Sequence, residues 1–203
     1  KVLSEGGLQP NTKMLESFGR ISLVVRKPLP DVASAIVAAS NAGGSGSVVG
    51  DTTTTMMWID GISPLIVLDA YVAAGGNAID LADSYPHWAP GCSGGESEEI
   101  VGRWMGARGN RSDIVICTKV GKFPGNHGLS RAQIMAGIDG SLRRLQTDYI
   151  DLYFIHHVDH QTPLEEMLRA LDDLQREGKI LYTACSNFEA WRLMEALWVS
   201  ETR

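Results

Sequence analysis

The chain has 203 residues, 44% apolar and 21% charged, with 22 glycines against 8 prolines. That composition excludes a disordered chain, a collagen-like chain and a disulfide-stapled miniprotein, and it suits one domain of roughly 100–200 residues. A formal charge of −6 leaves no chain-wide basic footprint for nucleic acid.

Three widely spaced cysteines, Cys92, Cys117 and Cys185, read as reduced thiols rather than a disulfide framework. No run is long and apolar enough to read as a membrane span. The expectation is a cytoplasmic protein that binds neither nucleic acid nor membrane.

In chain order, residues 1–60 stand apart. They hold five basic and five acidic residues, so the whole negative excess lies in residues 61–203. Residues 33–50 are nearly all Ala, Ser, Gly and Val, and four threonines follow at 52–55. One strand candidate is visible, Ile21-Ser22-Leu23-Val24-Val25. This part is read as an atypical N-terminal segment, partly irregular.

From residue 61 the punctuation is regular. Ser63-Pro64 opens a helix that Gly75-Gly76 closes. The run from Ala78 reads as a buried strand ending near Tyr85. A helix over 97–107 follows, with Ile100, Val101, Trp104 and Met105 as its apolar stripe. Ile114-Val115-Ile116-Cys117 has the β-branched content of a strand covered on both faces.

Ser130-x-x-Gln133 is a capping box ahead of Ile134, Ile138, Leu142 and Leu145. A strand over 149–155 comes next. Thr162-Pro163 then opens a helix with the stripe Leu164, Met167, Leu168, Leu171 and Leu174. Gly178 ends it, and a strand over 180–185 leads to a last helix at 189–199.

Strand and helix alternate four times without a hairpin signal, which predicts an α/β fold with a parallel sheet. The polar residues collect at strand ends: Asp80 and Tyr85, Lys119, His156 and His157, then Ser186 and Asn187. Successive strands delivering polar groups to one edge favour a parallel (β/α) barrel of the TIM type over an open doubly wound sheet. With four or five strand–helix units, the barrel is incomplete in this chain.

Asp80, Tyr85, Lys119 and His156 form one candidate set. A phenol is a poor acid near neutral pH, its ordinary pKa being about 10. A neighbouring ammonium favours the phenolate, and a carboxylate holds the ammonium in place. With an imidazole donating to a carbonyl oxygen, the set suits protonation of that oxygen as hydride reaches the adjacent carbon.

Each residue also has a plainer reading. Tyr85 alone is an ordinary strand-end aromatic, and Lys119 a solvated terminal lysine. Asn187 alone caps the last helix. Asp80 inside an apolar strand needs a partner. His156-His157-x-x-His160 has no acidic or cysteine ligand at a matching spacing, so no metal is expected. The glycines at 91, 94 and 95 make no phosphate-binding fingerprint.

Five segments carry a resemblance. Asn77-Ala78-Ile79-Asp80-Leu81-Ala82-Asp83-Ser84-Tyr85 is similar to the aldo-keto reductase signature. The run from Gly94 to Gly102 resembles that family's next segment, and Thr118-Lys119 its lysine motif. The stretch from Asp148 to His156 resembles the strand ending in its histidine, and Ser186-Asn187 its Ser-Asn pair. The run from Gly109 to Asp113 looks closest to bacterial, broad-specificity members.

The resemblance covers about residues 65–200. It implies an aldo-keto reductase domain over 61–203, with Asp80, Tyr85, Lys119 and His156 as catalytic residues. It also implies a cofactor site that includes Asp80, Ser186 and Asn187. NADPH is the expected cofactor, NADH not being excluded, and a small carbonyl compound the expected substrate.

The family's last three strand–helix units have no counterpart before Arg203. Open barrel edges suggest self-association. A weakly active or inactive homologue serving as an interaction module is the competing expectation.

Overall fold

The computed structural model describes residues 63–201. The strand candidate at 21–25 and the rest of the N-terminal segment lie outside the described residues. The elements are α1 (Pro64–Ala73), β1 (Ala78–Asp80), α2 (Glu96–Arg108), β2 (Val115–Val120), α3 (Arg131–Leu145), β3 (Ile150–Ile155), α4 (Leu164–Arg176), β4 (Ile180–Cys185) and α5 (Ala190–Glu201). A 3-10 turn at Arg111–Asp113 precedes β2.

Local chemistry sets the element ends. Ser130 and Gln133 close the expected capping box, with the Gln133 amide donating to Ser130 Oγ and the Ser130 amide to Gln133 Oε1. Pro64 opens α1 as expected, although Ser63 makes no side-chain cap bond. α4 begins one residue later than its Thr-Pro signal suggests. Pro163 takes the cap position, and the Thr162 hydroxyl donates to Asp159 Oδ2 at 2.8 Å.

β1 is shorter than expected, stopping at Asp80. Beyond it the chain breaks into successive turns, with Tyr85 N donating to Ala82 O at 3.2 Å and His87 N to Ser84 O at 2.8 Å. Those turns lift Tyr85 out of the strand and onto a loop.

The four strands form one parallel sheet in the order β1-β2-β3-β4, each paired with its successor. Neighbouring helices touch in the same order, α1 to α2, α2 to α3, α3 to α4 and α4 to α5. They pack with Ile79, Ile116, Val120, Tyr153 and Ile155 into one large core. Among the described residues the opposite face holds a small cluster, Ala78, Val115, Cys117 and Leu152, with Phe154, Tyr182 and Ala184 against it. Helices on one face alone are the wall of a barrel; a doubly wound sheet carries them on both.

Candidate active site

Side chains alternate between the two faces of a strand, and that parity selects the site. Asp80 follows Ala78 on the small-cluster face, Lys119 follows Val115 and Cys117, and Phe154 follows Leu152. His156 continues the same series one step past β3. In register, Asp80 stands beside Cys117, and Lys119 beside Phe154. All these groups therefore emerge at the C-terminal edge of one face, as the sequence predicts.

The Lys119 side chain is 8% exposed, and its three donors are all engaged. Nζ lies 2.8 Å from Asp80 Oδ2, 2.7 Å from the Leu81 carbonyl oxygen and 3.5 Å from the Tyr85 hydroxyl. Burial presses the Lys119 pKa down, yet Asp80 and then Tyr85 outweigh it, and the net direction is up. The ammonium is a fixed positive charge in a largely dehydrated place, which strengthens its field on the phenol oxygen.

Tyr85 meets His156 edge-on, with ring centroids 5.7 Å apart at 80°. Trp88, half-exposed, packs against the other side of Tyr85 at 5.3 Å and 72°. His156 is buried, and its Nδ1 has no hydrogen-bond partner among the described residues. Burial first, then the charges of Lys119 and Lys122, push its pKa down to about 3. The ring is therefore neutral near neutral pH, with one N–H to give.

Behind this face, on the helix side of β2, lies a buried polar group. Glu98 is fully enclosed, accepting from Thr118 Oγ1 at 2.6 Å and from Arg144 Nε at 2.7 Å. Asp83, equally enclosed, has no hydrogen-bond partner for either carboxyl oxygen among the described residues. Burial and then the Glu98 charge push its pKa up, against the opposing influence of the Gly121 amide, the Arg144 charge and the Ser84 amide.

The sequence profile of the aldo/keto reductase family matches residues 63–203. This chain belongs to the aldo-keto reductase family. Norsolorinic acid reductase A of Aspergillus parasiticus is 37% identical over 142 residues, covering 64% of this chain and 34% of that protein. An uncharacterized oxidoreductase of Bacillus subtilis, YrpG, is 37% identical over 136 residues, 63% of this chain and 42% of its own. The putative aryl-alcohol dehydrogenase AAD14 of Saccharomyces cerevisiae is 38% identical over 136 residues, 62% and 34% of the two chains. The chain thus spans between a third and somewhat over two fifths of these curated relatives.

Aldo-keto reductases use nicotinamide cofactors, whose carboxamide needs both a donor and an acceptor. Ser186 and Asn187, at the end of β4, carry groups of both kinds. Asn187 Nδ2 donates to the His156 carbonyl oxygen at 2.9 Å and to Ser186 Oγ at 3.1 Å. The Ser186 hydroxyl hydrogen and Asn187 Oδ1 enter no described hydrogen bond, so one donor and one acceptor stay available. These residues fit the group. Asn187 does not cap α5, which begins only at Ala190; its backbone instead takes φ 58°.

Sequence reasoning assigns no role of their own to Glu98, Arg144, Thr118 and Trp88 in this aldo-keto reductase. One signal for Glu98 is present: it shares a helical stripe with Val101, Gly102 and Met105, which marks an acid on a core-facing surface. Among the described residues no three potential metal ligands cluster, and no helix is long and apolar enough to cross a membrane. A groove of about 370 Å³ lies between α4 and α5, lined by Asp172, Gln175, Arg176 and Ser200. It sits at the end of the sheet opposite Lys119 and has none of the site's chemistry.

Proposed function

We propose that this aldo-keto reductase chain reduces an aldehyde or ketone to an alcohol, with Tyr85 as the general acid. The observation that carries the reading is the Lys119 ammonium held between the Asp80 carboxylate and the Tyr85 hydroxyl. As the carbonyl oxygen gains negative charge, the phenol yields its proton to it. The ammonium stabilises the charge then left on the phenol oxygen, and Asp80 keeps the ammonium charged and aimed.

His156 supports the same assignment by elimination. With its pKa near 3, only about one imidazole in 10⁴ is protonated at pH 7, so it is a weak candidate for the acid. Its N–H is suited to orient the carbonyl oxygen. Ser186 and Asn187 would hold the carboxamide of the cofactor, and Asp80 would border that site. A bound nicotinamide dinucleotide, NADPH in this reading and NADH by the same chemistry, supplies the hydride.

Small carbonyl compounds are the substrate class. Trp88, half-exposed beside Tyr85, offers apolar contact to a flat substituent. Titration of the chain with NADPH, followed by cofactor fluorescence, tests the binding half of the proposal. Loss of NADPH absorbance on adding an aldehyde tests the chemistry. Saturable binding with aldehyde-dependent consumption is expected, and no consumption by a folded Lys119→Met variant. Equal consumption by that variant contradicts the assignment.

A second reading, an interaction module with little turnover, draws on one observation. β1 and β4 are both edge strands among the described residues, and α5 exposes Trp191, Met194, Leu197 and Trp198. Unpaired edges and exposed aromatics favour association, including a homo-oligomer formed through the open barrel edges. Size-exclusion chromatography separates the cases: a dimer without turnover favours the module, a compact active monomer the enzyme.

A further inference from the structure

The first turn of α2 touches both halves of the Lys119–Tyr85 pair. The amides of Gly95 and Ser97 donate to the Tyr85 carbonyl oxygen at 3.2 and 3.3 Å, and Ser97 Oγ donates to the Ala82 carbonyl oxygen at 3.3 Å. One residue further on, Glu98 receives the hydroxyl of Thr118, the direct neighbour of Lys119, at 2.6 Å. A single turn therefore grips the loop that carries the phenol and the strand that carries the ammonium.

This turn is itself anchored from α3. Arg144 Nε donates to the other Glu98 oxygen at 2.7 Å, and its guanidinium lies over the Phe123 ring at 5.0 Å. Gly95 has φ 93°, and a Cβ there would meet Arg144 Cδ at 2.6 Å. The positive φ favours a glycine where α2 begins, and its missing Cβ leaves room for the close approach of Arg144. The Glu98 side chain is fully enclosed and that of Arg144 18% exposed, so solvent screens the pair little.

We infer that Glu98 is a positioning residue: held by Arg144, it fixes through Thr118 the separation of the Lys119 ammonium from the Tyr85 hydroxyl. This rests on the reading of Tyr85 as the acid. Glu98 touches neither substrate nor cofactor; it acts through the backbone of β2 and the first turn of its own helix. The arrangement explains why a buried ion pair is placed where an apolar contact would pack α2 on α3 as well. An apolar pair could not accept the Thr118 hydroxyl.

Tyrosine labelled at Cζ with ¹³C reports on the phenol directly, and Tyr85→Phe assigns its resonance. Thr118→Val and Glu98→Gln are each expected to move the Tyr85 Cζ shift and its pH titration. Thr118→Ser, which keeps the hydroxyl, should restore both. Glu99→Gln, on the exposed side of the same turn, should leave them unchanged.

With NADPH and an aldehyde, Thr118→Val should lower kcat while KM changes little. A displacement approaching 1 Å costs about a hundredfold in rate. A folded Thr118→Val protein with an unmoved Tyr85 resonance overturns the positioning role, whatever its turnover. A moved resonance in a chain that turns over equally well with Tyr85→Phe leaves the positioning intact and removes the acid assignment instead.

Discussion

Asp83 lies within the field of Glu98: burial first, and that neighbour's negative charge second, push the Asp83 carboxyl up to about 7. Folding therefore favours its protonated form. Between about pH 4, where an unfolded aspartate ionises, and about pH 7, the folded chain binds more protons than the unfolded one. Stability conferred by this group falls as pH rises through that window. Asp83→Asn, neutral at every pH, should gain in Tm relative to the parent chain between pH 5 and pH 8. A constant difference across that range contradicts the buried, protonated assignment.

His156 works in the opposite direction. Burial, then Lys119 and Lys122, hold its pKa near 3, well below the ordinary value of about 6.5. The unfolded chain binds more protons between those two values, so the contribution of His156 is lost as pH falls through them. The imidazole resonances of His156 should stay those of a neutral ring at pH 5. A His156 midpoint near 6.5 would place the ring in water and end its role as a neutral donor.

Arg144 should matter more for stability than its place in the last turn of α3 suggests. Arg144→Ala leaves the Glu98 carboxylate enclosed without its countercharge, and breaking such a pair costs about 3–5 kcal/mol. Arg144→Ala combined with Glu98→Leu should recover much of that loss. Denaturant unfolding of both variants measures it. Equal stability of the parent and Arg144→Ala would show that Glu98 is not buried as an ion.

How much of this was legible in the sequence depends on which physical rule placed each residue. Lys119 and His156 each end a β-branched or aromatic run, and a charge there has to emerge at the strand end. The face they share follows from strict alternation. Asp80 stands out as an acid among apolar neighbours.

Arg144 gives no such signal, because a basic residue near a helix C-terminus is the expected favourable partner of the helix dipole. Only the packing of α2 on α3 turns it inward. Trp88 was hidden for another reason: the expected strand to Tyr85 breaks at Asp80, and the turns that follow bring Trp88 back against the phenol.

The α2–α3 crossing gives a prediction of its own. A Cβ at Gly102 would collide with the Arg144 carbonyl oxygen and with the Leu145 backbone. Backbone cannot yield as a flexible side chain can, so Gly102→Ala should destabilise by about 3 kcal/mol or more. Gly106→Ala, one turn later, meets only Gln146 Oε1 at 3.3 Å. It should be close to neutral in the same thermal melt.

The account stands most directly on the rate of NADPH oxidation with an aldehyde by Tyr85→Phe beside the parent chain. Circular dichroism establishes that both are folded. Loss of the hydroxyl should cut turnover about 10²–10⁴-fold while NADPH still binds. A folded Tyr85→Phe protein that turns over at the parent rate contradicts the account.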